Sequence, residues 1–201
     1  MIRTAKLISI IFNPLLTPTY AMAMAMILTP MAGLPLLTRI GATAVITVLT
    51  AVLPMMLIIS LHSLKMVSNT SLTERRERII PYSATCVLYI IAMIYLSKAS
   101  APQWLTNMMF GATVALVAVT LISLRWKISA HLTGMGGLCA FIAVLSTTYG
   151  ASPSVMWVLI ASVLISGIVG VARLGLGSHT PAQAGAGFLL GAAAMALCSI
   201  L

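Results

Sequence analysis

The stretch Ser154-Val-Met-Trp-Val-Leu-Ile-Ala-Ser-Val-Leu-Ile-Ser-Gly-Ile-Val-Gly-Val-Ala172-Arg173-Leu-Gly-Leu-Gly-Ser178-His179-Thr180-Pro-Ala-Gln183 decides how this chain must fold. Its first part, 154–172, carries no charge and is long enough, as a helix, to cross the roughly 30 Å of bilayer hydrocarbon. Its second part is abruptly polar, with an arginine, a histidine and an amide side chain in 173–183, and a further apolar run follows to residue 201.

The whole chain repeats this pattern. Of its 201 residues, 61% are hydrophobic and 6% are charged, and the mean hydropathy is +1.13. A soluble domain carries about 25% charged residues. Lipid must therefore be the solvent for most of the surface. Backbone groups in hydrocarbon must be satisfied internally, and the runs are too long and continuous for barrel strands, so the predicted class is an all-α, polytopic transmembrane bundle. The net charge of +9 comes from 11 Lys and Arg against two acids, Glu74 and Glu77. These cations lie between apolar runs, which points to membrane lipid or an anionic substrate and not to nucleic acid. Cys86, Cys139 and Cys198 all fall inside apolar runs without metal-ligand spacing and read as packing residues.

The pattern predicts six to seven spans in a single membrane domain, 1–201. Residues 1–13 read as an interfacial helix, with Arg3 and Lys6 near headgroups. The run after Lys6 stops at Asn13-Pro14, so no cleaved signal peptide is expected. Spans are predicted at about 17–37 (ended or kinked by Pro30), 40–62 (bent at Pro54), 79–96, 104–124, a fifth ending near Tyr149, 154–172 and 181–201. Thr73 with Glu77, or Ser71 with Glu74, is expected to cap a helix start before the third span. Gly187 and Gly191 form a small-xxx-small pair in the seventh, which permits close helix contact.

Seven spans put the segments around 68–78, 125–131 and 173–180 on one side, together with the N-terminal end. That side collects all the Lys and Arg except Arg39 and Lys98, and also His131 and His179. Positive-inside placement accounts for part of this. It does not account for histidines, nor for Arg75, Arg76 and Arg78 packed into four positions. Guanidinium forks match phosphate oxygens. Of two histidines facing them, one can attack phosphorus and the other can protonate the leaving oxygen. Arginines would hold the charge of the transferring phosphoryl group. Such chemistry needs no metal or cofactor, and the chain has no acidic cluster to hold a cation. Arg125-x5-His131 repeats the spacing of Arg173-x5-His179, which suggests two related hairpins facing each other.

Three segments, in order, resemble the motifs of the PAP2 (type 2 phosphatidic acid phosphatase) superfamily. Arg173-x5-His179 resembles the third motif, Ser-Arg-x5-His-x3-Asp. Ser129-Ala-His131 resembles the second, Pro-Ser-Gly-His. Arg75 to Tyr82 stands where the first, Lys-x6-Arg-Pro, belongs. Ala172 replaces the serine and Gln183 the aspartate of the third motif; Ile128 and Ala130 replace proline and glycine of the second; Pro81 follows Ile80 in the first.

The resemblance covers roughly 65–195. It implies a PAP2-like helical core and a metal-independent, membrane-embedded phosphatase or phosphotransferase for a lipid-linked phosphate, working through a phosphohistidine. It makes His179 the nucleophile and His131 the general acid, with Gln183 orienting His179. Arg75, Arg76, Arg78 and Arg173 would bind phosphate, with Ser129 as an extra donor. Candidate substrates are phosphatidic acid, phosphatidylglycerophosphate, polyprenyl phosphates and lipid A phosphates.

A non-catalytic bundle that binds anionic lipid or a partner subunit is the alternative. A small transporter fits less well, because no acidic residue lies within a span. Residence in the cell membrane is expected, in a bacterium the inner membrane. Charge counting puts the arginine-rich side in the cytoplasm, while many bacterial members of the resembled family work on the opposite face.

Overall fold

A computed structural model describes residues 2–200. Among them all regular structure is helical, in the order α1 (Ile2–Ile11), α2 (Thr17–Leu28), α3 (Leu36–Thr47), α4 (Leu53–Ser63), α5 (Ile79–Lys98), α6 (Gln103–Ser123), α7 (Ala130–Tyr149), α8 (Pro153–Gly175) and α9 (Pro181–Cys198). Seven stretches are long and apolar enough to cross a membrane: Ile2–Leu28, Leu36–Ser63, Arg76–Lys98, Gln103–Ser123, Ala130–Tyr149, Pro153–Gly175 and Pro181–Cys198. The chain is thus a multi-pass, all-α membrane bundle. On α8 the side chains of Trp157, Ile160, Leu164, Ile168 and Val171 are exposed at helical spacing, a stripe that only lipid can cover without cost.

The first span ends at Pro30, as the proline predicts. The helix beginning at Thr17 stops at Leu28 and does not resume before 37 within that span, because Thr29 turns extended and Pro30 opens a short 3-10 turn, Pro30–Gly33. The apolar length is recovered on the other side, where α1 joins α2 through a 3-10 turn at Pro14–Leu16. The α1 segment therefore belongs to the bundle and packs on α8.

At Pro54 the expected distortion is present as a turn of π-helix, Val48–Val52, immediately before α4. Proline offers no N–H to the carbonyl four residues back, and its ring crowds that turn, so the backbone widens there. The capping boxes expected near 71–77 do not form. Arg75 precedes the 3-10 turn Arg76–Arg78 without a side-chain cap, and the Glu77 carboxylate instead accepts from the Ser68 backbone at 3.0 Å and the Ser68 hydroxyl at 2.9 Å.

The contact that organises the bundle is α7 against α9. A methyl group added at Gly191 would overlap the Thr133 carbonyl, one at Gly136 would overlap the Phe188 carbonyl, and one at Gly187 would lie 2.6 Å from the Ser129 oxygen. The two backbones touch because these positions have no side chain, the outcome expected of the Gly187/Gly191 pair. At the top of the pair the Ser129 N–H donates to the Gln183 carbonyl at 3.3 Å, so the N-termini of the two helices meet. Below, Met108, Met135, Phe141, Ile142 and Leu145 fill the main core. A second apolar cluster, including Leu15, Leu72, Tyr82, Val119 and Ile128, forms a floor under the loops at this end.

Gly191→Ala is expected to destabilise the protein by about 1–3 kcal/mol through overpacking, read as a lower melting temperature in detergent. Gly167→Ala, where an added methyl meets nothing within 4 Å, is expected to leave melting unchanged or slightly raised. Equal melting of the two variants would contradict the backbone contact.

Candidate functional site

The connections preceding α5, α7 and α9 gather at the end where α7 and α9 begin. Together with α1 they enclose a cavity of about 620 Å³. Arg78, His131, Arg173 and His179 all line it, and the cavity continues between the helices to Met108, Leu138 and Met195. Cationic and imidazole groups from three distant segments therefore share one space with an apolar extension.

His179 stands one residue before the N-cap of α9. Gly177, with φ of 62°, reverses the chain after α8, and Thr180 starts α9 with a full capping box. The His179 residue is 7% exposed. Its Nδ1 lies 3.2 Å from the Lys127 carbonyl oxygen. A carbonyl only accepts, so Nδ1 carries the hydrogen and the lone pair of the neutral ring is on Nε2. Burial, and then the nearby Arg78 and Arg173 guanidinium groups, lower the His179 pKa to about 4, against the opposing effects of the Lys127 carbonyl and the Gln183 side chain. The ring is neutral at pH 7, the state in which Nε2 can act as a nucleophile.

His131 lies in the first turn of α7, whose N-cap is Ser129. Its Nε2 is 3.1 Å from the carbonyl oxygen of Ser9, which places Nε2–H on that bond and leaves Nδ1 for any other partner. Arg173, in the last turn of α8, donates from Nη1 to the Ser9 hydroxyl at 3.3 Å, and its Nε is buried without a partner. Arg78 is 4% exposed. Its guanidinium donates from Nε to the Leu72 carbonyl at 2.9 Å and from Nη1 to the Ile128 carbonyl at 3.0 Å. It thereby ties the 64–75 connection to the one between α6 and α7. Its recorded partners are neutral carbonyls, and the Glu77 carboxylate is occupied by Ser68.

Arg75, Arg76, Arg125, Ser129 and Gln183, also singled out in the sequence, do not line the cavity. Arg75 donates to the Leu124 carbonyl and pins its loop to the end of α6. Arg76 lines a separate 190 Å³ pocket with Leu61, Val67 and Ile80. Ser129 is buried and caps α7, accepting from the Leu132 N–H at 3.4 Å. The Gln183 amide oxygen accepts from the Thr180 N–H at 3.1 Å and so completes the cap of α9; the ring hydrogen bond that orients His179 comes from the Lys127 backbone. Arg125 is exposed and absent from the lining, so the two Arg-x5-His segments do not form matching halves of one site.

The lining also includes Lys6, Ser9, Asn13, Tyr82 and Thr133, which the motif reading did not assign. For two of them the sequence holds a signal: Lys6 and Ser9, three apart, share a helical face of α1.

No protein-family model, curated protein or solved structure matches this chain. What the arrangement can do must be argued from its chemistry. Arg78 and Arg173 face a largely apolar enclosure without a carboxylate partner, and an anion there would offset a desolvation cost of several kcal/mol per buried charge.

Histidine NMR on the labelled protein is expected to show His179 titrating at about 4. In Arg173→Gln the midpoint should rise, since loss of a neighbouring cation favours the protonated ring. A midpoint near 6.5 in the wild type, unmoved by the substitution, would place His179 away from the arginines.

Proposed function

We propose that the cavity binds the phosphate of a lipid-linked substrate and that the protein is a membrane-embedded phosphatase or phosphotransferase of the PAP2 type. One observation carries this reading: Arg78, Arg173, His131 and His179, from three segments far apart in sequence, line one cavity that runs on between the helices to the apolar side chains of Met108, Leu138 and Met195. An amphiphile with an anionic head and a hydrocarbon tail matches both parts.

In the reaction, the Nε2 lone pair of His179 attacks phosphorus and forms an N–P bond. The ester P–O bond breaks, and the leaving oxygen takes a proton from Nδ1 of His131, an imidazolium whose Nε2–H stays on the Ser9 carbonyl and whose charge is favoured once the bound phosphate offsets Arg78 and Arg173. Water then attacks the phosphohistidine. The N–P bond breaks, inorganic phosphate leaves, and the proton lost by the water returns to His131. Arg78 and Arg173 hold the charge on the non-bridging oxygens throughout. In this scheme the Lys127 carbonyl fixes the nucleophile's tautomer, the task that an aspartate performs in the resembled motif.

A second reading keeps the site without the chemistry. It is favoured by Gln183, which is neutral and engaged in capping α9, so that no carboxylate stands behind His179 to stabilise an imidazolium. The protein would then hold an anionic lipid without turning it over.

Phosphate release from purified protein, across a panel of phosphatidic acid, phosphatidylglycerophosphate and polyprenyl phosphate, separates the readings. On the catalytic reading at least one lipid is hydrolysed, His179→Ala lowers the rate by more than about a thousandfold, and Arg173→Ala lowers it by about a hundredfold or more. Equal release by wild type and His179→Ala would sink the catalytic assignment. Raised melting temperature with these lipids, without release from any of them, would leave the binding reading.

A further inference from the structure

The N-terminal helix lies outside the three motif segments, yet one of its residues touches two of the site's groups. Ser9 is 8% exposed. Its carbonyl accepts from His131 Nε2 at 3.1 Å, and its hydroxyl accepts from Arg173 Nη1 at 3.3 Å. Lys6, one turn earlier, and Asn13, one turn later, line the same cavity. Asn13 also fixes the exit of the helix, accepting from the Leu15 N–H at 3.0 Å, and the Tyr20 hydroxyl donates to the Ile11 carbonyl. The helix is thus pinned at its end and presents a polar face to the site.

We infer that Ser9 is a positioning residue for the site, its hydroxyl holding the Arg173 guanidinium towards the bound anion while its backbone carbonyl sets the ring of His131. This rests on the reading of the cavity as a phosphate site, whether or not phosphate is released there.

Arginine has a long side chain with about 2 kcal/mol of rotamer entropy. Its forked donors serve a phosphate only when the plane of the guanidinium is set. Arg173 has no carboxylate partner among the described residues to set it, and its Nε is buried without a partner. The Ser9 hydroxyl is the hydrogen bond recorded for its side chain. An acceptor on one Nη1 proton leaves the other donors for the ligand. A carboxylate at this place would neutralise the group that must attract the anion. A hydroxyl orients without neutralising, which gives a reason for serine here. His131 has a parallel constraint: with Nε2–H held by the Ser9 carbonyl, Nδ1 is the ring atom left for the ligand. Because one residue supplies both acceptors, displacement of the helix would disorient both groups together.

The test is a double-mutant cycle between Ser9 and Arg173. The binding of dioleoyl phosphatidic acid in detergent micelles would be measured for wild type, Ser9→Ala, Ser9→Thr, Arg173→Ala and the Ser9→Ala/Arg173→Ala double variant. Monodisperse elution and melting temperature report on folding. Ser9→Ala is expected to weaken binding about tenfold, the scale of one hydrogen bond to a charged group. Ser9→Thr, which keeps the hydroxyl, should stay within about threefold of wild type on the same scale. In the Arg173→Ala background the Ser9→Ala effect should vanish, because the group it positions is gone. If Ser9→Ala fails to fold, Ser9→Cys keeps the size and weakens the acceptor, and the same cycle is run with it.

Wild-type affinity in Ser9→Ala, with Arg173→Ala still weakened, would overturn the role of Ser9 and leave the phosphate site standing. An effect of Ser9→Ala that persists undiminished without Arg173 would assign Ser9 to general packing and overturn the inference. Wild-type affinity in Arg173→Ala would overturn the phosphate site itself, and this inference with it.

Discussion

Everything at the polar end depends on two backbones being able to touch. The α7–α9 contact at Gly136, Gly187 and Gly191 brings two helix N-termini to the same level, joined by the Ser129–Gln183 backbone bond. His131 rides on the first of these helices and His179 immediately precedes the second. With larger residues at the contact the helices would sit apart, and the two imidazoles would no longer share a cavity. Small residues inside two spans thus set the geometry of the polar and charged groups at the ends of the bundle's helices. The capping boxes and turns only fix the last few ångströms.

The second constraint is electrostatic. The chain has 11 Lys and Arg but two acids, and neither acid is among the residues lining the cavity. Arg78 is buried against carbonyl oxygens from two loops, and Arg173 is steadied by a hydroxyl. Dipoles orient these cations without cancelling them. The same uncancelled charge, with burial, holds His179 neutral. The unneutralised charge of the cavity and the neutral imidazole have one cause.

The sequence made the architecture legible because span length and hydropathy are strong one-dimensional signals. The seven spans, the distortion at Pro54 and the role of Gly187 and Gly191 all follow from residue type and local position. The site was legible only in outline. Arg78, Arg173, His131 and His179 could be assigned to one end by counting spans. Arg75 and Arg76 could not be separated from Arg78, since adjacent residues differ only in the direction the backbone gives them. Gln183 and Ser129 invite a chemical reading, yet local hydrogen bonding uses both as caps, a competition that favours nearby backbone groups over a distant ligand. The docking of the first helix on α8 was not legible either, because it depends on tertiary contacts.

The missing counter-charge has a consequence for the lifetime of the protein. A bundle with buried, unneutralised guanidinium groups is least stable when the cavity is empty, and any anion that binds the folded form selectively adds stability by mass action, rising with its concentration over its dissociation constant. The steady-state amount of intact protein in the membrane would then follow the supply of any such anion, because the form without it is the one that opens, and an opened form is what proteases remove.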